Sequence, residues 1–132
     1  NFDVGSFLIW KLYPAPSCSA DRHSEKERAW CGTSPDFRVF VDGRPEAYTV
    51  NFFEKIYKPM QENPLVWQKY SKEYGINYIF FDHRDITPWA KTFLSFISQD
   101  QNWPLIYFDN STAIFVERTL ENSSLIKKFE MK

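Results

Sequence analysis

Three groups of side chains in this 132-residue sequence have the types that chemistry requires. Asp42 and Arg44 flank Gly43; Asp82, His83, Arg84 and Asp85 are consecutive; Asp109 opens the run Asp109-Asn110-Ser111-Thr112. Aspartates with a histidine can hold a divalent cation, and arginines can grip a phosphate or carboxylate bidentately. A metal-assisted reaction using Asp42, Asp82, His83 and Asp109 is therefore one reading of these residues. The other is structural, because Asp ends strands by satisfying turn backbone groups and pairs locally with a neighbouring Arg. Spacing alone does not separate the two.

Nucleophilic chemistry finds less support. His83-Arg84-Asp85 spells the catalytic-loop triplet of kinases, but no Gly-rich loop or Asp-Phe-Gly accompanies it. No serine has a G-x-S-x-G setting, and His23 and His83 are the two histidines that a Ser or Cys nucleophile would need as a base. Cys18 and Cys31 are thirteen positions apart, which fits neither a CxxC redox pair nor half of a zinc ribbon. They either close a loop as a disulfide, which implies an oxidising compartment, or stay as two free thiols. Asn110-Ser111-Thr112 and Asn122-Ser123-Ser124 match the N-glycosylation sequon.

The elements that must position these residues read as follows. Val4, Phe7, Leu8 and Leu12 suggest a short helix over 4–13, stopped by Pro14 and Pro16. A polar loop with both cysteines follows over 15–36. Phe37-Arg38-Val39-Phe40-Val41 predicts a first strand closed by Asp42-Gly43-Arg44-Pro45. Phe53, Ile56, Tyr57 and Met60 have helical spacing, and Asn63-Pro64 restarts a second helix whose Trp67, Tyr70 and Tyr74 stripe ends at Gly75. The apolar run 76–81 predicts a central strand covered on both faces. Thr87-Pro88 opens a helix carrying Trp89, Phe93, Phe96 and Ile97. Residues 105–108 and 113–116 flank a hairpin turn. Asn122 or Ser123 caps a last helix with Leu125, Ile126 and Phe129.

Strand, helix and strand in succession favour parallel pairing, and the hairpin adds one antiparallel edge strand. The expected fold is thus an α/β layered domain: helices on a mixed, mostly parallel sheet of about four strands, in a single domain over 1–132. In that arrangement Asp42, Asp82, His83 and Asp109 share the carboxyl edge of the strands, where open α/β sheets place ligands. The aromatic stripes could stack sugar rings, but their helical spacing favours core.

Composition narrows the classes. Sixteen Lys and Arg against 17 Asp and Glu give a net charge of −1, so no field favours nucleic acid as a partner. Aromatic residues make up 19% of the chain, which excludes disordered and collagen-like classes. No run approaches the ~18 apolar residues of a membrane span. The start at Asn1 and the lack of a signal segment suggest a piece of a longer polypeptide.

Two phrases then stand out together: Asn1-Phe2-Asp3-Val4-Gly5-Ser6-Phe7-Leu8-Ile9-Trp10-Lys11-Leu12 and Arg38-Val39-Phe40-Val41-Asp42-Gly43-Arg44-Pro45-Glu46-Ala47-Tyr48. They resemble the segments that follow the membrane spans in bacterial and archaeal polytopic glycosyltransferases of the C type. The stretches Tyr74-Gly75-Ile76-Asn77-Tyr78, Asn102-Trp103-Pro104-Leu105-Ile106-Tyr107-Phe108-Asp109 and Thr112-Ala113-Ile114-Phe115-Val116-Glu117-Arg118 are similar to the same proteins. Asp3 and Gly5 also match a W-W-D-Y-G segment of oligosaccharyltransferase catalytic subunits, although Asn1, Phe2 and Val4 stand where the tryptophans and tyrosine would be. Recognition of an acceptor sequon is therefore not implied.

The resemblance implies an extracytoplasmic tail, non-catalytic by itself, attached to a membrane-embedded part of the same polypeptide that handles a lipid-linked sugar. No cofactor and no metal are expected for the domain itself. A glycan acceptor or partner would meet the tail at an edge lined by Asp3, Asp42 and Arg44, with Asp82 and His83 as further binding candidates. Family members pass from the Leu-Ile-Trp helix to the Val-Phe-Val-Asp strand in a few residues, whereas residues 15–36 intervene here. An extracytoplasmic location would favour a Cys18–Cys31 disulfide. The rivals are a free-standing small metal-assisted enzyme and a protein-interaction module.

Overall fold

A computed structural model describes residues 39–41 and 44–131. The chain divides into two compact units, Phe2–Gly43 and Arg44–Lys132. Of the first unit only Val39, Phe40 and Val41 are described, and they carry no strand. The strand expected over 37–41 is described in these three residues alone, and residues 37 and 38 lie outside the described part. The helix expected over 4–13, the loop 15–36, Cys18, Cys31, Asp3 and Asp42 lie outside the described residues.

The second unit opens with a 3-10 turn, Pro45–Ala47, followed by a helix in three parts: α-helical Val50–Phe52, π-helical Phe53–Tyr57 and α-helical Lys58–Glu62, together α1. Thr49 caps it, its Oγ1 accepting from the Phe52 N–H at 3.2 Å. Pro59 has no N–H to give, and its ring crowds the carbonyl one turn back. The widened π turn just before it makes room, and the helix continues through the proline. The Tyr48, Phe52, Phe53 and Tyr57 rings pack against one another beside this turn.

Helix α2, Pro64–Glu73, begins as the sequence predicts. Asn63 Oδ1 accepts from the Leu65 N–H at 2.9 Å and Pro64 takes the first helical position. At its end the Ile76 N–H donates back to the Ser71 carbonyl at 2.8 Å. That closure needs a left-handed residue, supplied by Gly75 at φ +61°.

Strand β1, Tyr78–Asp82, leads through helix α3, Pro88–Ile97, to strand β2, Leu105–Phe108; a turn then gives strand β3, Thr112–Val116, and helix α4, Ser123–Phe129, closes the unit. The unit is thus mixed helix and strand, with a three-stranded sheet in the order β1-β3-β2. Both pairings are antiparallel, with Ile79 opposite Phe115 and Phe81 opposite Ala113, then Leu105 opposite Phe115 and Phe108 opposite Ala113 across a bulge at Ile106. The expectation of parallel neighbours is corrected here. β1 and β2 do run in the same direction on either side of α3, but β3 returns from the hairpin into the gap between them rather than onto an edge. The central strand is therefore β3 and not 76–81. Inserting β3 pairs both of its edges while the sharp β2–β3 turn keeps its connection short.

The core lies against the sheet face carrying Ile79, Phe81, Ala113 and Phe115, all buried. α3 presents Ala90, Phe93 and Ile97 to it at helical spacing, with Phe93 stacked on Phe81 at 5.3 Å. Trp67 from α2 meets Phe93 edge-on at 5.0 Å and Trp103 at 5.2 Å. Each such side chain taken fully out of water contributes about 1.5–3 kcal/mol. Trp67, Phe93 and Ile97 are thus core, while Tyr70, Trp89 and Phe96 of the same stripes are half-buried and Tyr74 at the end of α2 is exposed.

Two caps differ from expectation. Thr87 precedes α3, but its Oγ1 is buried and makes no capping bond. Asn122 precedes α4 yet does not cap it. Its Nδ2 donates to the Glu117 carbonyl and its Oδ1 accepts from the Tyr78 hydroxyl, both at 2.9 Å. A buried amide is held by tertiary partners here, which outweighs local capping. No helix among the described residues is long and apolar enough to cross a membrane.

Candidate functional site

The register places Asp82, at the end of β1, opposite Thr112 at the start of β3. The carboxyl end of β1 therefore meets the β2–β3 turn, and Asp82, His83 and Asp109 gather at one sheet edge as the sequence suggests. Arg44 is described and exposed, in the segment before α1. Asp3 and Asp42 lie outside the described residues, so the structure does not place them relative to this edge.

The turn is built around Asp109. Its Oδ1 accepts from the Ser111 and Thr112 N–H groups at 2.8 Å each and from Ser111 Oγ at 3.2 Å, while its Oδ2 accepts from the Tyr107 hydroxyl at 2.8 Å. The Ser111 and Thr112 N–H groups, then Tyr107, hold the Asp109 carboxyl down at a pKa of about 2. The same bond raises the Tyr107 hydroxyl above its ordinary value. Tight hairpin turns usually need left-handed residues, and none but Gly75 is found among the described residues. A side-chain carboxylate that accepts the turn N–H groups does the work instead.

His83 locks β1 to this turn. Its main-chain N–H donates to the Ser111 carbonyl at 3.0 Å, and its ring Nε2 lies 2.8 Å from the Asp109 carbonyl. A carbonyl only accepts, so Nε2 carries the proton. The ring stacks on Phe108 with centroids 4.7 Å apart and planes 18° from parallel. Beside it, Asp82 holds Arg84 in a fork: Nε donates to Oδ1 at 3.1 Å and Nη2 to Oδ2 at 3.0 Å. The hydrogen bond from Arg84 lowers the Asp82 pKa, and Asp82 raises that of Arg84. The guanidinium is exposed, so the pair contributes little to stability.

The groups at this edge are fixed by hydrogen bonds to their own neighbours. The Asp82 and Asp109 carboxylates bind their own neighbours, and no three His, Cys, Asp or Glu side chains converge on a cation position among the described residues. Arg84, forked by Asp82 and near Asp109, is already partly neutralised as an anion ligand. Exposed around them are Phe108, Tyr107 and Asn110. Sequence reasoning missed Tyr107, Phe108 and Ser111 as parts of this edge. The signal was present in the Tyr-Phe-Asp-Asn-Ser-Thr run, where alternation and turn chemistry put an aromatic pair next to a carboxylate.

A depression of about 610 Å³ opens elsewhere, at the amino end of β2. Buried Trp103, Pro104 and Phe115 line it, with Gln101, Arg118 and Glu130 at its rim. Arg118 pairs with Glu130 and donates from Nε to the Gln101 carbonyl, and the Met131 N–H reaches the Leu105 carbonyl. None of Arg44, Asp82, His83 and Asp109 lines this depression.

No family model, curated protein or solved structure matches this chain.

Proposed function

We propose that the chain is the extracytoplasmic, non-catalytic part of a membrane-embedded glycosyltransferase-like protein, and that its sheet edge helps recognise a glycan acceptor, a lipid-linked sugar or a protein partner. The resemblance of the segments around Asp3 and Asp42 to polytopic glycosyltransferases supports the context. The observation that carries the role is the state of the edge: the Asp82 carboxylate is forked on Arg84, Asp109 closes its own turn, and His83 is fixed between Asp109 and Phe108. Groups held in this way are preorganised for contact, which lowers the cost of binding. They are poorly disposed to shuttle protons or gather a cation. Asp3, Asp42 and Arg44 belong to the proposed surface, and a Cys18–Cys31 disulfide fits the proposed oxidising location.

The test uses the full-length protein in its own membranes. An impermeant label directed at lysines should reach the Arg44–Lys132 region from outside intact cells, and the protein should sediment with membranes. A tail labelled only after lysis, or a protein free of membranes, overturns the reading. The metal-assisted alternative through Asp42, Asp82, His83 and Asp109 is checked by calorimetric titration with Mg²⁺, Mn²⁺ and Zn²⁺. Absence of binding heat removes it.

A further inference from the structure

Both N-glycosylation sequons fall within the Arg44–Lys132 unit, and the fold treats them in opposite ways. Asn110 stands at the tip of the β2–β3 turn and is exposed, and its side chain makes no hydrogen bond among the described residues. The turn is closed around it by other groups: Asp109 Oδ1 takes the Ser111 and Thr112 N–H groups, and His83 takes the Ser111 and Asp109 carbonyls. A bulky polar group attached to Asn110 Nδ2 therefore projects into solvent and displaces nothing that holds the hairpin.

Asn122 is 6% exposed, and both ends of its amide are in use, Nδ2 on the Glu117 carbonyl and Oδ1 under the Tyr78 hydroxyl. A sugar on that nitrogen has no room unless α4 and β1 separate around it. Pulling the buried Asn122 amide away from its two partners adds to the cost.

We propose that Asn110 is an N-glycan acceptor and that Asn122 is not. The donor class is an oligosaccharide linked to a lipid pyrophosphate. A bond forms from Asn110 Nδ2 to the anomeric carbon, the bond from that carbon to the pyrophosphate oxygen breaks, and lipid pyrophosphate leaves. The amide proton passes to a base of the oligosaccharyl transferase, and no electrons are exchanged with an oxidant or reductant. The proposal rests on the extracytoplasmic placement proposed above, since such sequons are modified on surface loops of exported chains.

The experiment is glycopeptide mass spectrometry on the full-length protein purified from the membranes of its own cells. Trypsin separates the sequons, because Asn110 falls in the peptide 92–118 and Asn122 in 119–127. The expected result is a hexose- or hexosamine-containing increment on 92–118 alone, abolished by Asn110→Gln and kept by Thr112→Ser. Asn110→Gln should leave the melting temperature unchanged, since its side chain holds nothing. An unmodified 92–118 peptide from a tail that labels from outside intact cells overturns the glycan while the location stands. The same peptide from a tail that labels only after lysis overturns both. A glycan on 119–127 also overturns the proposal, because the fold then does not choose between the sites.

Discussion

The ring of His83 donates from Nε2 to the main-chain carbonyl of Asp109, 2.8 Å away and 26 positions along the chain. That contact ties the end of β1 to the β2–β3 turn. Within the turn the Asp109 N–H donates to the Thr112 carbonyl at 3.0 Å, and the Asp109 carboxylate accepts the Thr112 N–H in return. The hairpin therefore relies on an ionised side chain in addition to its backbone.

An acid signature follows from that reliance. Asp109 is held at a pKa of about 2 against an ordinary 3.8, so the folded state binds its proton less readily than the unfolded state does. Its contribution to stability is complete above about pH 4 and is lost as the pH falls to about 2. Thermal melts of the wild type and Asp109→Asn across pH 5 to 2 should differ most at the top of that range and converge at the bottom. A constant difference across the range would show that the carboxylate charge is not what the turn uses.

Asn122 and Tyr78 should act as one unit. Tyr78→Phe leaves the buried Asn122 Oδ1 without its donor, whereas Asn122→Ala removes the buried amide and leaves the Glu117 carbonyl still accepting from the Thr119 N–H at 2.9 Å. Leaving a buried polar group unsatisfied costs about 1–3 kcal/mol, which is the loss expected for Tyr78→Phe. Urea unfolding of both single variants and the double variant should give a coupling of about 0.5–3 kcal/mol. Additive effects would mean that the two side chains do not share a bond in solution.

Local signals in the sequence were sufficient for the elements and insufficient for their neighbours. Asn63-Pro64 starts α2 and Gly75 ends it because capping and left-handed backbone are decided within a few residues. The Asp109-Asn110-Ser111-Thr112 turn is read for the same reason. Strand order is different, since nothing in the alternation of 113–116 says whether β3 lies outside β2 or between β2 and β1. The run 76–81 reads as central because it is nearly continuously apolar, yet Tyr78 is exposed and within the run only Ile79 and Phe81 are buried. The meeting of Asp82 and Asp109 was legible from their strand-end positions. Their engagement with Arg84, Ser111, Thr112 and Tyr107 was not, because it depends on side-chain geometry across the turn.

Gly75 isolates a backbone effect. It sits at φ +61°, and a Cβ built there meets nothing within 4 Å. Gly75→Ala should therefore cost about 1–2 kcal/mol through left-handed strain alone, with no packing component. Gly75→Asn should recover part of it, because Asn tolerates that conformation better. Chemical denaturation of the pair checks this, and an Ala variant as stable as the wild type would mean that the α2 end relaxes out of the left-handed closure.

Trp67 offers a sharper test of what holds the core. It is buried between Phe93 and Trp103, and its indole Nε1 has no hydrogen-bond partner among the described residues. Burying an unpaired donor already costs the folded state, so removing that donor forfeits no bond. Trp67→Phe should then lose only ring volume, about 1–2 kcal/mol, while Trp67→Ala leaves a large cavity and should lose about 3–5 kcal/mol. If urea unfolding shows Trp67→Phe to be as costly as Trp67→Ala, the indole N–H is paired in solution, and an internal water is the partner such a site would hold. If the two variants separate as expected, the aromatic faces of Phe93 and Trp103 carry the packing, and the helix α2 stripe stabilises the unit through ring contact rather than through a polar anchor.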